Sequence, residues 1–255
     1  MVAVATSGPR GLAGLGAKDR PTRPHFRLAL LNGFELTCDG TGVPLSNGPQ
    51  RLLAYLALND RSLPRVYVSG ILWADVPDER AAGNLRSALW RLRQLGLDLV
   101  GSAQDCLRLS SAVVVDVREA ERLARRVMDP SVDVCAMGLD ELPFSGELLP
   151  GWYEDWIILE RERQRQICLH ALESLCEQWA AAGHYAKAVM AGIAAVAGEP
   201  LRESAHRALI KAFLAEGNPG EAIRQYSFYR DILQRELQLD PSPHVTALVV
   251  GLSAP

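Results

Sequence analysis

The chain has 255 residues, enough for one large or two ordinary domains, and its 48% hydrophobic and 22% charged content is that of a globular protein. No apolar run reaches the ~18 to 20 residues of a membrane span, and a formal charge of −3 excludes a protein that coats nucleic acid indiscriminately. That charge is unevenly divided: residues 23–115 carry ten arginines against eight acidic side chains, +2, and residues 116–255 carry 14 basic against 21 acidic, −7. A phosphate backbone would repel the second half, so nucleic-acid contact is expected in the first half and protein contact in the second.

Residues 1–23, rich in Gly, Ala, Pro and Arg, read as a disordered tail; they lack the compact apolar core and cleavage context of a signal peptide. Gly11, Gly14 and Gly16 in that tail do not match a phosphate-binding fingerprint. Short strands are predicted at 26–31, 34–38 and 43–45, broken at Asn32-Gly33 and Asp39-Gly40, where the residues tolerate positive φ. Pro49 suits the first turn of a helix carrying Leu52, Leu53, Leu56 and Ala57, and a shorter helix is predicted at 66–73.

The most informative stretch is residues 81–96, AAGNLRSALWRLRQLG. At helical period Leu85, Ala88, Leu89, Leu92 and Leu95 share one face, while Ser87, Trp90 and Gln94 lie opposite, flanked by Arg80, Asn84 and Arg91 on one edge and by Arg86 and Arg93 on the other. A basic rim around a less charged centre suits a helix in the major groove, where phosphate contacts position and base contacts specify. Two strands follow, 97–100 and 107–109, around a polar turn at 101–105. A helix followed by a hairpin is the reader and wing of a winged helix-turn-helix. The predicted wing turn has no Arg or Lys and contains the acidic Asp105, so a minor-groove arginine is not evident there. Ser102, Arg108, Arg51 and Arg65 are secondary candidates for backbone contact. Trp90 has two readings, a cover for a thymine methyl or a side chain folded back on the wing.

In the second half, residues 116–128 have the pattern of an amphipathic helix, a second short helix is predicted at 132–142, and 143–151 reads as a loop. Trp152, Trp156 and Leu159 then begin a long helix. The charge run Glu160, Arg161, Glu162, Arg163 and Arg165 reads as its solvated face, and the two tryptophans as core or domain-interface residues. Beyond it is an internal repeat: Ala171 and Ala205, Leu175 and Leu209, Ala181 and Ala215, Gly183 and Gly217, and Ala188 and Ala222 are each separated by 34 residues, the tetratricopeptide period. Trp179 and Phe213 match as aromatics. Ser242 and Pro243 look like the cap and first turn of a last helix running to about residue 252.

Catalytic signals are absent. There is no G-x-x-x-x-G-K-[ST], no H-E-x-x-H and no C-x-x-C, so neither enzyme, metal nor cofactor is expected. Five scattered cysteines without a secretion signal point to a reducing cytoplasm. Of the 27 basic residues, 24 are arginine, a bias that a GC-rich genome would produce.

The N-terminal strands, RLLAYLAL at 51–58, GILWADVPDERAAGNLRSALWRLR at 70–93 and PGWYEDWIILERER at 150–163 together resemble the Streptomyces antibiotic regulatory protein family over about residues 26–252. The resemblance implies an OmpR-type winged-helix DNA-binding domain at 24–115 and an all-α, tetratricopeptide-like bacterial transcriptional activator domain at 116–255, without the nucleotide-binding ATPase module of larger relatives. It implies DNA contact along the third helix, with the RLR of residues 91–93 the most recurrent part. Trp90 departs from the small polar residue usual at its position. The implied function is activation from short direct repeats in double-stranded DNA, by two copies side by side or a homodimer that recruits RNA polymerase and its sigma factor to secondary-metabolite genes. A tetratricopeptide adaptor whose winged helix contacts only protein, and a ligand sensor with a pocket between the C-terminal helices, are the alternatives.

Overall fold

The computed structural model describes residues 25–252 apart from 97, 139–141, 143 and 145, so the tail expected at 1–23 lies outside the described residues. In chain order the elements are β1 (Phe26–Ala29), β2 (Glu35–Cys38), β3 (Thr41–Gly42), α1 (Asn47–Leu58), β4 (Leu63–Pro64), α2 (Arg65–Leu72), α3 (Asp78–Gln94), β5 (Val100–Ala103), β6 (Cys106–Leu109) and β7 (Val113–Val115), followed by the helices α4 (Asp116–Val127), α5 (Asp155–Ala181), α6 (Tyr185–Gly198), α7 (Glu203–Glu216), α8 (Pro219–Leu237) and α9 (Pro243–Val249). This is a winged helix-turn-helix followed by an all-α, tetratricopeptide-like array.

The first three strands form antiparallel pairs through turns at Asn32-Gly33 (φ 65° and 138°) and Asp39-Gly40 (φ 49° and 80°), as the turn residues predict, but the third strand is Thr41–Gly42, directly after its turn, and the expected 43–45 is coil. Two strands escape sequence reasoning. β7 runs parallel to β1 and completes a sheet of order β3-β2-β1-β7, while β4 pairs with β6 to give a second sheet of order β4-β6-β5. The core between sheets and helices is built from Leu28 and Leu36, Leu52 and Leu56 of α1, Leu72 of α2, Leu85 and Leu92 of α3, and Leu107, all fully or nearly buried. Each such leucine contributes roughly 1.5–3 kcal/mol by leaving water.

The start of α4 ties the two halves together. The Asp116 carboxylate accepts backbone N–H bonds from Leu30 and Leu31 at 3.0 Å and from Val117 at 2.6 Å. Burial pushes its carboxyl above the usual range, and those three donors pull the other way. Two residues on, Arg118 donates to the carbonyls of Ala57 (2.7 Å) and Leu56 (3.0 Å), satisfying orphan acceptors at the end of α1.

No helix occupies the described part of the predicted 132–142 helix, which consists of turns. Asp129 accepts from the N–H and hydroxyl of Ser131 (2.9 and 2.7 Å), and Asp133 from Cys135 N–H (2.9 Å), so short side chains take the backbone donors a helix would need. The carbonyls serve elsewhere. Trp179 Nε1 donates to Val134 O at 3.0 Å, and Lys187 Nζ donates to Cys135 O and Met137 O at 2.9 Å.

The 34-residue repeat is present in three dimensions. Gly183 and Gly217 both adopt left-handed geometry (φ 79° and 87°), and the following N–H groups of His184 and Asn218 close back to Trp179 O (2.8 Å) and Phe213 O (2.9 Å), the same helix ending twice. Ala171, Ala205, Ala188 and Ala222 are buried at the helix contacts, whereas Ala181 and Ala215 face solvent at the turns. Gly192 allows α6 its close approach, since a Cβ there would lie 3.0 Å from Leu209 and 3.1 Å from Cys176. The last helix stops at Val249, three residues short of the expectation.

The charge run on α5 is not only a solvated face. Arg161 turns inward and donates to the carbonyls of Leu148 (3.0 Å), Leu149 (2.8 Å) and Trp152 (3.1 Å). Leu149 is buried with φ 44°, a left-handed conformation uncommon for leucine, and its N–H bonds Leu30 O at 2.8 Å. Trp152 stacks on Phe34 at 6.2 Å and Trp156 meets Tyr55 edge-on at 5.1 Å, so both tryptophans stand at the junction of the two units. R161A should therefore destabilise the chain by on the order of 2–4 kcal/mol, because it leaves the carbonyls of Leu148 and Trp152 without a donor, Leu149 O keeping only the Trp152 N–H at 3.2 Å; R161K, with one ammonium, should recover only part, as read from melting temperatures.

His206 is fully buried beneath Tyr229, its Nε2 donating to Pro200 O at 2.9 Å and its Nδ1 accepting from Gln225 at 2.8 Å, an arrangement that needs the neutral ring. Burial holds its pKa below the ordinary 6.5, with Pro200 and Glu203 opposing. The unfolded chain therefore takes up the proton first, and stability complete above about pH 6.5 is lost as the pH falls towards the lower folded value. Melting temperatures between about pH 7.5 and 5 should fall less steeply for H206Q than for the wild type.

Candidate nucleic-acid interface

α3 begins after Pro77, carries Asp78 and Glu79 in its first turn and Arg91 and Arg93 in its last, and so opposes its own dipole at both ends. Leu95 at the C-cap and Gly96 at φ 68° end it one residue before the last member of the apolar stripe, and Leu95 is half-exposed rather than part of the buried face. Leu85, Ala88, Leu89 and Leu92 are buried, as the periodicity requires.

The opposite face is open. Asn84, Arg86, Ser87, Trp90, Arg91, Arg93 and Gln94 are all exposed, and Trp90 is 60% exposed, so it does not lie folded against the wing. Ser87 Oγ donates back to Gly83 O at 3.0 Å, which leaves its lone pairs outward. Arg91 Nη1 donates to Ser46 Oγ at 2.8 Å. Ser46, the residue before α1, thereby joins the site, a neighbour that no local pattern announces.

Elsewhere most arginines are neutralised, although Arg61, Arg122, Arg126 and Arg207 also have no carboxylate partner among the described residues. Arg27, Arg108, Arg118, Arg161, Arg163, Arg165 and Arg202 each pair with a carboxylate. Among the described residues no such partner is found for Arg80, Arg86, Arg91 or Arg93. The exposed side of α3 is thus a strip of four unpaired guanidinium groups around an indole.

The secondary candidates stand apart from this strip. Arg51 Nε lies 3.0 Å from Glu154 and binds the start of α5 rather than facing outward with α3. Arg65 pins the wing: its Nη2 donates to Ser102 Oγ at 2.9 Å, its Nε lies 3.4 Å from Asp105, and its backbone N–H bonds Asp105 O at 3.0 Å. Arg108 is drawn to Asp60 at 3.4 Å. The wing turn is also tighter than expected. Gln104 and Asp105, with φ 48° and 60°, form a two-residue turn, and Gly101, Ser102 and Ala103 belong to β5.

Among the described residues no group of three or more His, Cys, Asp or Glu could hold a metal ion, the five cysteines are free thiols, and no helix is long and apolar enough to cross a membrane.

Residues 110–251, more than half of the chain, match the bacterial transcriptional activator domain. The chain belongs to that family. Regulatory protein AfsR of Streptomyces coelicolor is 28% identical over 238 residues, covering 88% of this chain and 24% of that protein. Its namesake from Streptomyces griseus is 27% identical over 228 residues, covering 82% and 23%. This member of the bacterial transcriptional activator domain family therefore spans about a quarter of the length of the curated relatives it matches, and at 88% coverage the similarity to AfsR necessarily runs through α3. These matches bear out the resemblance to Streptomyces antibiotic regulatory proteins. Among solved structures, Mycobacterium tuberculosis EmbR in complex with a low-affinity phosphopeptide superposes with a TM-score of 0.65 at 20% identity, covering 89% of this chain and 65% of that one, a likeness of fold.

Because Trp90 and Arg86 contact so little of the core, W90A and R86A should each change folding stability by no more than about 0.5 kcal/mol. A thermal melt checks this; a loss of several kcal/mol for W90A would show that the indole packs on the wing.

Proposed function

We propose that the chain is a sequence-specific DNA-binding transcriptional activator, with α3 in the major groove of double-stranded DNA. Two copies bind side by side on a short direct repeat at a promoter, and the acidic helical array recruits RNA polymerase and its sigma factor, in the cytoplasm, to genes of secondary metabolism. The observation that carries the reading is the strip of unpaired arginines on α3. Four guanidinium groups at a solvent surface repel one another unless an anion is brought to them, and a duplex presents one phosphate charge per ~1.7 Å of helix axis. Arg86, Arg91 and Arg93 hold phosphates on either side of the groove, while Ser87, Trp90, Gln94 and Asn84 meet base edges. Membership of an activator family supports the regulatory part. The lack of a positive wing tip places more of the affinity on α3.

The test is binding of the full chain to duplexes selected from a random pool, measured over a salt series. R86A, R91A and R93A should each weaken binding to all duplexes and lower the log-log salt slope by about one. W90A should instead alter preference at one or two adjacent base pairs, each worth on the order of 1–3 kcal/mol. Unchanged affinity and slope in all three arginine variants would remove α3 from the interface, and salt-insensitive or absent duplex binding would favour an adaptor that contacts only protein.

A further inference from the structure

Ser46 stands before α1, at the position whose side chain ordinarily accepts a first-turn N–H, yet it makes no such bond. Pro49, the third residue of that helix, has no N–H to offer, so one of the two usual donors to a capping hydroxyl is missing. The Ser46 oxygen is left for another partner. That partner is Arg91 Nη1 at 2.8 Å, 45 residues away in the chain.

The core, not the pair itself, sets this distance. Gly48 lies against α3, where a Cβ on it would come within 3.9 Å of Ala88, and Ala88 stands one turn before Arg91. Leu52 of α1 is buried in one cluster with Leu85 and Leu92 of α3. Ser46 and Arg91 are thus brought together by packed elements, and both are exposed on the surface that carries the arginine strip.

Among the described residues Arg91 is the one arginine of that strip whose guanidinium has a hydrogen-bond partner within the chain. The partner is a hydroxyl, which decides what the contact does. A carboxylate there would orient the guanidinium and also neutralise it, as Glu154 does for Arg51 at 3.0 Å. A hydroxyl orients it and leaves its charge whole. With Nη1 turned to Ser46, Nε and Nη2 still present the parallel pair of N–H groups that a phosphate accepts bidentately. An arginine held in this way loses less side-chain freedom on binding than one that swings free.

We infer that Ser46 is a positioning residue for DNA binding: its hydroxyl holds the Arg91 guanidinium in the orientation in which Nε and Nη2 meet a backbone phosphate. The inference rests on the proposed reading of α3 and adds to it a residue of another element that acts through Arg91.

The test is binding of the full chain to a duplex selected from a random pool, over a salt series, for S46A, S46T and S46D and for S46A combined with R86A, R91A or R93A. S46A should weaken binding about three- to tenfold, the cost of ordering one free side chain, with the salt slope unchanged because no phosphate contact is removed. S46T should bind as the wild type does. S46A should keep its full effect beside R86A and R93A and have none beside R91A. S46D supplies a carboxylate to Arg91 and should lower the log-log slope by about one, while its melting temperature holds, since aspartate suits the start of a helix as well as serine does. Wild-type binding by S46A while R91A weakens it, an equal effect of S46A beside R91A, or a wild-type slope for S46D would each overturn the inference and leave the reading of α3 standing. An unchanged affinity in R86A, R91A and R93A alike would overturn both.

Discussion

The guanidinium of Arg161 is the contact on which the arrangement of the two halves depends. By gathering the carbonyls of Leu148, Leu149 and Trp152 it fixes a segment that cannot form regular structure and that includes a leucine in left-handed conformation. Everything at the joint follows from that fixed path. Leu148 bridges to Leu31, Trp152 reaches Phe34, Glu154 reaches Arg51, and Trp156 meets Tyr55. The Asp116 bonds to Leu30 and Leu31, and the Arg118 bonds to the carbonyls at the end of α1, complete the attachment. With these contacts α3 has a set orientation relative to the helical array, as the proposed function requires.

What sets the α3 arginines apart is that four of them without a carboxylate partner among the described residues share one exposed helix face; Arg61, Arg122, Arg126 and Arg207 are also unpaired but lie off that helix. At the joint and in the wing, guanidinium groups meet carboxylates or carbonyls, and their charge is used within the chain. On α3 it is not. A like-charged strip at a surface destabilises the free protein slightly and favours an anionic ligand, as the proposed function requires of α3. The helical half carries −7, a charge that opposes contact with a phosphate backbone.

What was legible in the sequence was local. The period of Leu85, Leu89 and Leu92 located α3, paired turn residues located the first hairpin, and the 34-residue spacing of Gly183 and Gly217 located a repeated helix ending. What was not legible depended on distant partners. β4 and β7 are two and three residues long and exist only because β6 and β1 lie beside them. The helix expected at 132–142 had a suitable composition, but in its described part Asp133 captures the Cys135 amide and the carbonyls of Val134, Cys135 and Met137 serve Trp179 and Lys187. The exposed residues of the site were all readable from α3's period, whereas Ser46 beside Arg91, and the diversion of Arg51 and Arg65 to Glu154 and Asp105, are facts of tertiary structure. Arg161 was hidden in a run of alternating charge that resembles any solvated helix face.

The central claim is that the exposed face of α3 lies against base pairs. Photo-crosslinking from position 90, with Trp90 replaced by benzoylphenylalanine in the full chain, tests it on a duplex recovered by selection from a random pool. The account predicts covalent transfer to DNA, mapping within the repeated sequence and lost when unlabelled duplex competes. Crosslinks confined to protein, with the DNA unmodified while it remains bound, would contradict it.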